Sequence, residues 1–566
     1  MNILRELVGM ELPPVDELVE RINRQLGKVE TVEHLGDKYK GVLIVKVVEC
    51  DKLEQSDHLY RCLIDDSGAN KNVERNEQGL VQVLTGAKNV YAGMIAVWLP
   101  PNSTVPESFD KEPFVLTSRK MLGVISYGML ASYKELAIGD EHAGILEITV
   151  GDMLPQAPNQ DRTLAQLVGQ SFAETFGLDD TVIDVENKMF THRPDLFGQL
   201  GIAREISAII RGVPDSGESD EDTRFVNPEW YWKLPKFDSK KGLVLDTFND
   251  IPDDVSRLIF TAVKNVEVQP SPLWLRCALV AMGAKSINNI VDVTNYIMLV
   301  TAQPVHAYDY DKLRGHKIGA RMAKYGEKVA LLNGKTYELT SDDIVIADGE
   351  GPVGLGGIMG GNDSEVDEDT KNIVCEVATF NMYTARKSSM RHGLFTDALT
   401  RFNKGQSPLQ NSRIMSKLLE TLWTITPGEQ ASDVLDVHND VPKLDETTLS
   451  GEIEVSSEFI NARLGLTLTT DQIGGLLRRV NFASYPGSKG DDTPVFVAPF
   501  WRTDIEQPED IVEEVGRLYG FEKLPRELPK RSIRPVSNNP MVAVRQLVRE
   551  SLARFGANEI LTYSFV

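Results

Sequence analysis

The sequence predicts an α+β chain of several domains, and three observations lead there. The chain has 566 residues, which at about 100–200 residues per domain implies roughly three to five domains. Short β-branched runs separated by turn residues fill the stretch from Gly41 to Pro100, the pattern of a small barrel. Beyond it, strand-like runs alternate with apolar stretches at helical spacing. Apolar residues make up 42% and charged residues 25%, ordinary for chains with packed cores, so large-scale disorder is not expected.

Residues 1–38 read as a helix followed by a short strand, KVETVEHLG. VLIVKVVEC, HLYRCLIDD, LVQVLTGA and MIAVWLP then give strands of an OB-like barrel spanning 39–172. The barrel interrupts one N-terminal α+β unit made of residues 1–38 and 173–212. In VIDVENKMFTHRPDLFGQLGIAREISAIIRG a strand leads through a turn into a helix. Residues 213–224, VPDSGESDEDTR, are acidic, small and turn-forming, a linker.

Residues 225–410 form a large α+β module. Its strands are LIFTAVKNVEV, KIGARMA, IVIAD and NIVCEVATF, with a helix at LWLRCALVAMG and Gly-rich turns. A smaller α+β module covers 445–526, with strand GEIEVS, helices FINARLG and DQIGGLLRRV, strand VFVAPFW and helix PEDIVEEVGRLYGF. Residues 535–566 hold an amphipathic helix, VAVRQLVRESLARFG, and a strand, EILTYSFV. So apolar a strand needs sheet neighbours, and the sequence after it supplies none, which marks the start of an incomplete domain.

The net charge is −23, from 60 basic and 83 acidic residues. That argues against a general nucleic-acid binder, but not against a local basic face. Four cysteines, Cys50, Cys62, Cys277 and Cys375, form no C-x-x-C pair, so neither a disulfide framework nor a zinc ribbon is expected. The acidic N-terminus lacks the basic start and apolar core of a signal peptide. No apolar run reaches the ~18 residues of a membrane span. These features predict a cytoplasmic protein without membrane contact.

Two places concentrate chemistry. On the strand NIVCEVATF, alternation points Glu376 away from Cys375 and Val377. In WRTDIEQPEDIVEEVGRLYG, Pro508 suits the first turn of a helix, and Asp510, Glu513 and Glu514 share one face at i, i+3 and i+4. Asp504 lies just before that helix. Such carboxylates suit a hard cation such as magnesium. A solvated acidic face favoured by the helix dipole reads the same residues equally well. No serine or cysteine sits in a recognisable nucleophile motif.

Seven segments, in order, resemble the β chain of bacterial phenylalanyl-tRNA synthetase. They are the barrel with TGAKNVYAG and SYGMLASYKELAIG; THRPDLFGQLGIARE; SINNIVDVTNYIMLVTAQPVHAYDYDKL; GLGGIMGGNDSEVDEDTKNIVCEVATF; RKSSMRHGLFTDALTRFNKG; APFWRTDIEQPEDIVEEVGRLYGFEKLP; and EILTYSFV. The resemblance implies an OB-fold tRNA-binding domain at 39–172 and an editing domain at 225–410. It also implies a winged-helix-like module with a metal-binding helix at 445–526, and the opening of a class II synthetase-like antiparallel domain at 535–566. Most of that last domain, and the family's C-terminal anticodon-binding domain, are missing from the sequence.

The resemblance further implies function. A hydrophobic pocket for phenylalanine cannot strongly reject a side chain that merely adds a hydroxyl, and the family's editing module hydrolyses tyrosine wrongly attached to tRNA(Phe). Carried over residue by residue, the editing site comprises His306, Gly360, Glu376, Thr396 and Ala398. Glu376 would accept the tyrosine hydroxyl, His306 would orient water or the tRNA terminus, and small Ala398 would leave room for the ring. Asp504, Asp510, Glu513 and Glu514 would bind Mg2+ shared with the α subunit.

The partners implied are tRNA(Phe) and an α subunit, in an α2β2 tetramer. That α subunit would hold ATP and phenylalanine, so this chain would not aminoacylate alone. The chain departs from the family pattern after Ala398, with Asn403 and Lys404 in place of a Glu-Arg pair. In the barrel, the turn Leu53, Glu54, Gln55, Ser56, Asp57, His58 keeps only the family's aspartate, while Gly128 and Met129 survive. Two other readings remain at this point: a stand-alone tRNA editing hydrolase, and a non-catalytic OB-fold tRNA-binding protein.

Overall fold

The computed structural model describes residues 1–153, 163–213, 224–438, 450–488, 490–526, 528, 531–534 and 537–564. All but Val213 and Arg224 of the expected linker lies outside them. The chain divides into two compact units, Met1–Lys523 and Leu524–Val566.

The first unit opens with two helices, Asn2–Val8 and Val15–Gln25, rather than one. Pro13 and Pro14 lie between them, and proline breaks a continuing helix. The strand Val29–His34 pairs antiparallel with Thr181–Val185, so the two stretches that flank the barrel in sequence meet in one ribbon. Helix Gln199–Arg211 packs against both N-terminal helices and is buried almost all round, with Leu200, Ala203, Ile206 and Ile209 joined by the charged Arg204 and Glu205.

The barrel sheet runs in the order Val81–Thr85, Tyr60–Asp65, Leu43–Lys52, Ile95–Leu99, Met129–Leu130, all antiparallel. Alternate residues such as Val45, Val47, Cys62, Ile64, Val83 and Trp98 fill its interior. Gly128 has φ +81°, and a Cβ there would lie 2.0 Å from the Leu99 carbonyl oxygen, so only glycine fits this close crossing. The four cysteines are free thiols, with the Sγ atoms of Cys50 and Cys62 3.6 Å apart.

Two five-stranded sheets make the large module. One is ordered Asp246–Asn249, Lys317–Met322, Ile344–Ala347, Pro352–Leu355, Met359–Gly360. The other is Val305–Asp309, Asn372–Phe380, Val255–Lys264, with Glu429–Gln430 and Leu435–His438 both paired to the last of these. Leu258, Phe260, Tyr308, Ile346, Val374 and Phe380 form a core spanning both sheets. The opposite face of the second sheet carries helices Asn289–Thr301 and Asn411–Trp423.

Three antiparallel strands, Ser450–Glu454, Gly490–Ala498 and Ala483–Gly487, pack with helices Ser457–Leu464, Thr470–Arg478 and Pro508–Tyr519 in the small module. Pro508 occupies the first turn of its helix as expected.

The second unit contains helix Pro540–Arg554, capped by the Asn539 side chain, which accepts the Met541 N–H at 3.0 Å. Of the expected strand EILTYSFV, the described residues 559–564 are irregular, and no strand lies within this unit to pair with them among the described residues. No helix of the described residues is long and apolar enough to cross a membrane.

Candidate functional site

Strands Val305–Asp309 and Asn372–Phe380 lie antiparallel with His306 opposite Glu376. Alternation sends Ile373, Cys375 and Val377 toward the helices, while Val374, Ala378 and Phe380 face the other sheet. Glu376 follows the second set, as its position on the strand predicts. It is 6% exposed, and a carboxylate so buried needs a hydrogen-bonding partner. Tyr308, on the same face as His306 two residues along, donates its hydroxyl to Glu376 Oε2 at 2.6 Å. No hydrogen bond from a described residue reaches Oε1. Burial pushes Glu376 up to about 7, and the Tyr308 hydrogen bond pulls more weakly the other way.

The His306 ring meets the Tyr308 ring edge-on, centroids 4.5 Å apart. Burial draws His306 down to about 4, so its imidazole is neutral at physiological pH. A Cβ on Gly360 would lie 2.5 Å from His306 Nε2. Only a residue without one lets this backbone press against the ring. Thr396 caps helix Asp397–Phe402: its hydroxyl accepts the Leu399 N–H at 3.1 Å and donates to the Ile358 carbonyl at 2.8 Å. That ties the helix start to the loop leading into Gly360. Ala398 sits in the first turn of the same helix.

The five residues carried over from sequence meet. His306, Gly360, Glu376, Thr396 and Ala398, with Tyr308, line one cavity of about 610 Å³, within the range of small-molecule sites. Its other walls are largely apolar. Cys375 is no nucleophile here, because it faces the helices and burial pushes its thiol up to about 12. Past Ala398, the Asn403 Oδ1 atom is buried without a hydrogen-bond partner among the described residues. Lys404 lies 5.1 Å above the Phe197 ring, its pKa lowered by burial and by nearby Arg386.

The four carboxylates expected to hold magnesium do not converge. Asp504 is bound by Arg502 at 2.7 and 2.6 Å. Glu514, 2% exposed, accepts from Arg502 at 3.0 Å and Arg517 at 2.9 Å, with Arg193 3.6 Å away. Asp510 turns back to accept the N–H groups of Glu506 and Gln507 at 2.8 and 2.9 Å, closing the helix start. Glu513 is half-exposed, 3.7 Å from His192 Nε2.

No group of three or more potential metal ligands gathers among the described residues. Magnesium therefore does not fit a site built from these four side chains in this arrangement. Their spacing on one helix was read correctly, but guanidiniums claim the inward-facing carboxylates: Arg502 and Arg517 from the same module and Arg193 from a distant segment.

Those guanidiniums reveal what the sequence concealed. Arg193 binds Asp195 at 3.0 Å and Glu205 at 2.7 Å, and Arg517 also bonds Glu205. The segment THRPDLFGQLGIARE thus locks onto the helix Pro508–Tyr519 through a buried ion network. Burial opposes the charge on Glu514, but Arg502, Arg517 and Arg193 outweigh it and hold its carboxyl well below the usual range. Arg204 instead lies 3.9 Å above the Trp501 ring and 4.9 Å above Tyr231, a cation–π arrangement in place of an ion pair. Charged residues inside an apolar helical stretch were the available signal, since buried charges demand partners. Tyr308 gave no such signal.

In the barrel, the turn around Asp57 is closed by the Leu53 N–H donating to the Leu59 carbonyl at 2.9 Å and by Ser56 Oγ accepting the Leu59 N–H at 3.2 Å.

Three families match the chain in order: a tRNA binding domain at residues 42–152, the B3/4 domain at 254–426, and the tRNA synthetase B5 domain at 453–521. The cavity lies within the B3/4 match. The chain is 31% identical to the phenylalanine–tRNA ligase beta subunit of Fusobacterium nucleatum, over 100% of this chain and 64% of that one. It is 31% identical to the same subunit of Geobacillus kaustophilus and 30% to that of Streptococcus pyogenes serotype M28, each over 99% of this chain and 64% of the relative.

An N-terminal fragment of the phenylalanyl-tRNA synthetase beta subunit from Pyrococcus horikoshii aligns at 19% identity and a TM-score of 0.30. That alignment covers 60% of this chain and 86% of the fragment, a likeness too loose to carry an argument. The chain spans 64% of the length of the curated relatives it matches. With those three domains in order, the chain is similar from end to end to phenylalanine–tRNA ligase beta subunits.

Proposed function

We propose that this chain serves as a β subunit of phenylalanine–tRNA ligase that hydrolyses tyrosine wrongly attached to tRNA(Phe). It would support a cytoplasmic α subunit that joins phenylalanine to the tRNA, with ATP and magnesium used in that reaction and two copies of each chain assembled. The observation that carries the editing reading is convergence. Residues spread from His306 to Ala398 line one apolar cavity, with a buried carboxylate that has one oxygen unpaired among the described residues.

In the reaction, water attacks the carbonyl carbon of the ester joining tyrosine to the terminal ribose. The bond from that carbon to the ribose oxygen breaks, the ribose oxygen takes a proton, and tyrosine leaves as the free acid. Neutral His306 accepts a hydrogen bond from the water or from a ribose hydroxyl of the tRNA, orienting it. Glu376 accepts the tyrosyl hydroxyl. Phenylalanine at the same place would leave that acceptor unpaired, which costs about 1–3 kcal/mol, more when the group is charged. Lys404, two residues after Phe402 of the cavity wall, and nearby Arg386 on helix Met382–His392 would supply positive charge for RNA phosphates in an otherwise acidic chain.

The assay is deacylation of tyrosyl-tRNA(Phe) by the purified chain, compared with phenylalanyl-tRNA(Phe). Gly360→Ala is a sharp probe within it. The added Cβ must push the His306 ring aside, so hydrolysis is expected to fall by about tenfold or more with little change in melting temperature. Unchanged hydrolysis in Gly360→Ala would remove His306 from the reaction.

A further inference from the structure

In the editing reading Glu376 meets two phenols, one from the chain and one from the substrate, and it has two oxygens. We infer that Tyr308 is a positioning residue that makes Glu376 a detector for a single hydroxyl, occupying one carboxylate oxygen and leaving the other for the mischarged amino acid. The inference rests on the editing reading of this cavity.

The geometry gives each oxygen a distinct state. Oε2 accepts the Tyr308 hydroxyl at 2.6 Å, and Oε1 has no donor among the described residues. Tyr308 cannot easily swing away. It is 2% exposed, packs edge-on against His306, and sits on a strand paired through five consecutive residues with the strand of Glu376. The phenol keeps its proton, since burial and the adjacent carboxylate both hold its pKa far above the ordinary value. It is therefore a permanent donor.

Without that donor, the carboxylate would turn about its broad terminal torsion and take water or substrate on either oxygen. A phenylalanyl substrate could then leave a hydrated carboxylate behind it at little cost. With Oε2 occupied and the carboxylate held, the remaining acceptor must be filled by the substrate or left unpaired. A site built to pair a substrate hydroxyl rejects the analogue lacking it by this means. Tyr308 also explains how the carboxylate tolerates burial before substrate arrives.

The test is Tyr308→Phe in the full chain, which keeps the ring and its packing. Deacylation of tyrosyl- and phenylalanyl-tRNA(Phe) is measured across a pH series, with the uncatalysed ester hydrolysis subtracted. The preference for tyrosyl-tRNA is expected to fall about tenfold, mainly through KM. The Tyr308 hydrogen bond stabilises the ionised carboxylate, so its loss raises the Glu376 pKa. The pH at which tyrosyl-tRNA hydrolysis reaches half its plateau should then move upward from about 7.

General loosening of the site would slow both substrates alike without moving that midpoint, and would overturn the inference. So would an unchanged preference with an unchanged midpoint. Faster hydrolysis in the variant would show that Tyr308 occupies the substrate's place. If the parent chain hydrolyses neither ester, the editing reading fails by itself. Titration of the Glu376 carboxyl by 13C NMR, parent against Tyr308→Phe, then decides whether Tyr308 governs the carboxylate. An equal midpoint in the two proteins would refute the pairing.

Discussion

Glu514→Ala is expected to destabilise the unit Met1–Lys523 by roughly 3–5 kcal/mol, the range for removing one partner from a buried ion pair. Glu514 alone touches three guanidiniums, those of Arg502, Arg517 and Arg193; Arg502 and Arg193 are buried and Arg517 is mostly so. Its removal leaves the positive charges facing one another with less compensation. Chemical denaturation measures the loss directly. Glu513→Ala, one residue earlier but half-exposed, should change stability by less than about 0.5 kcal/mol.

The pH dependence carries the same signature. A carboxyl held below its ordinary range binds fewer protons folded than unfolded, so its contribution is present above the unfolded pKa and is lost as pH falls. Parent protein should therefore lose stability on acidification more steeply than Glu514→Ala. Equal slopes and equal midpoints for Glu513→Ala and Glu514→Ala would mean the network is not the clasp described.

Ala398→Trp is expected to cut kcat/KM for tyrosyl-tRNA hydrolysis by about a hundredfold while leaving melting close to the parent. Ala398 lines the cavity and packs against the core cluster that holds Val374, Ala378 and Phe380 of the Glu376 strand. An indole there fills volume that the tyrosyl ring would occupy. Steady-state deacylation with a parallel thermal melt separates blocking from unfolding. A variant that folds and still hydrolyses at the parent rate would place the substrate elsewhere.

Much of this was legible in the sequence, for identifiable reasons. Four barrel strands showed as β-branched runs broken by turns, and each lies within two residues of its expected place, whereas the two-residue strand Met129–Leu130 was too short to show. Glu376 pointed correctly because strand alternation is fixed by backbone geometry. Helix Asn289–Thr301 escaped notice because it is rich in β-branched residues and buried on several sides, which erases helical periodicity. The final run, 559–564, read as a strand from composition alone, but a strand exists only with a partner.

The carboxylates of the last long helix illustrate a deeper limit. Spacing put Asp510, Glu513 and Glu514 on one face, yet their fates were decided by Arg193 and Arg502 and by the helix cap. Arg193 comes from more than three hundred residues away, and no local pattern announces it. Tyr308 was hidden for the opposite reason. A tyrosine in a strand is unremarkable until the neighbouring strand brings a carboxylate to its hydroxyl.

The most direct test of the editing reading is hydrolysis of tyrosyl-tRNA(Phe) by this chain, with Glu376→Ala alongside. The parent is expected to deacylate tyrosyl-tRNA(Phe) much faster than phenylalanyl-tRNA(Phe), and Glu376→Ala to lose this preference by tenfold or more, about 1.4 kcal/mol. Well-folded parent protein that leaves tyrosyl-tRNA(Phe) intact, with or without an added α subunit, would contradict it.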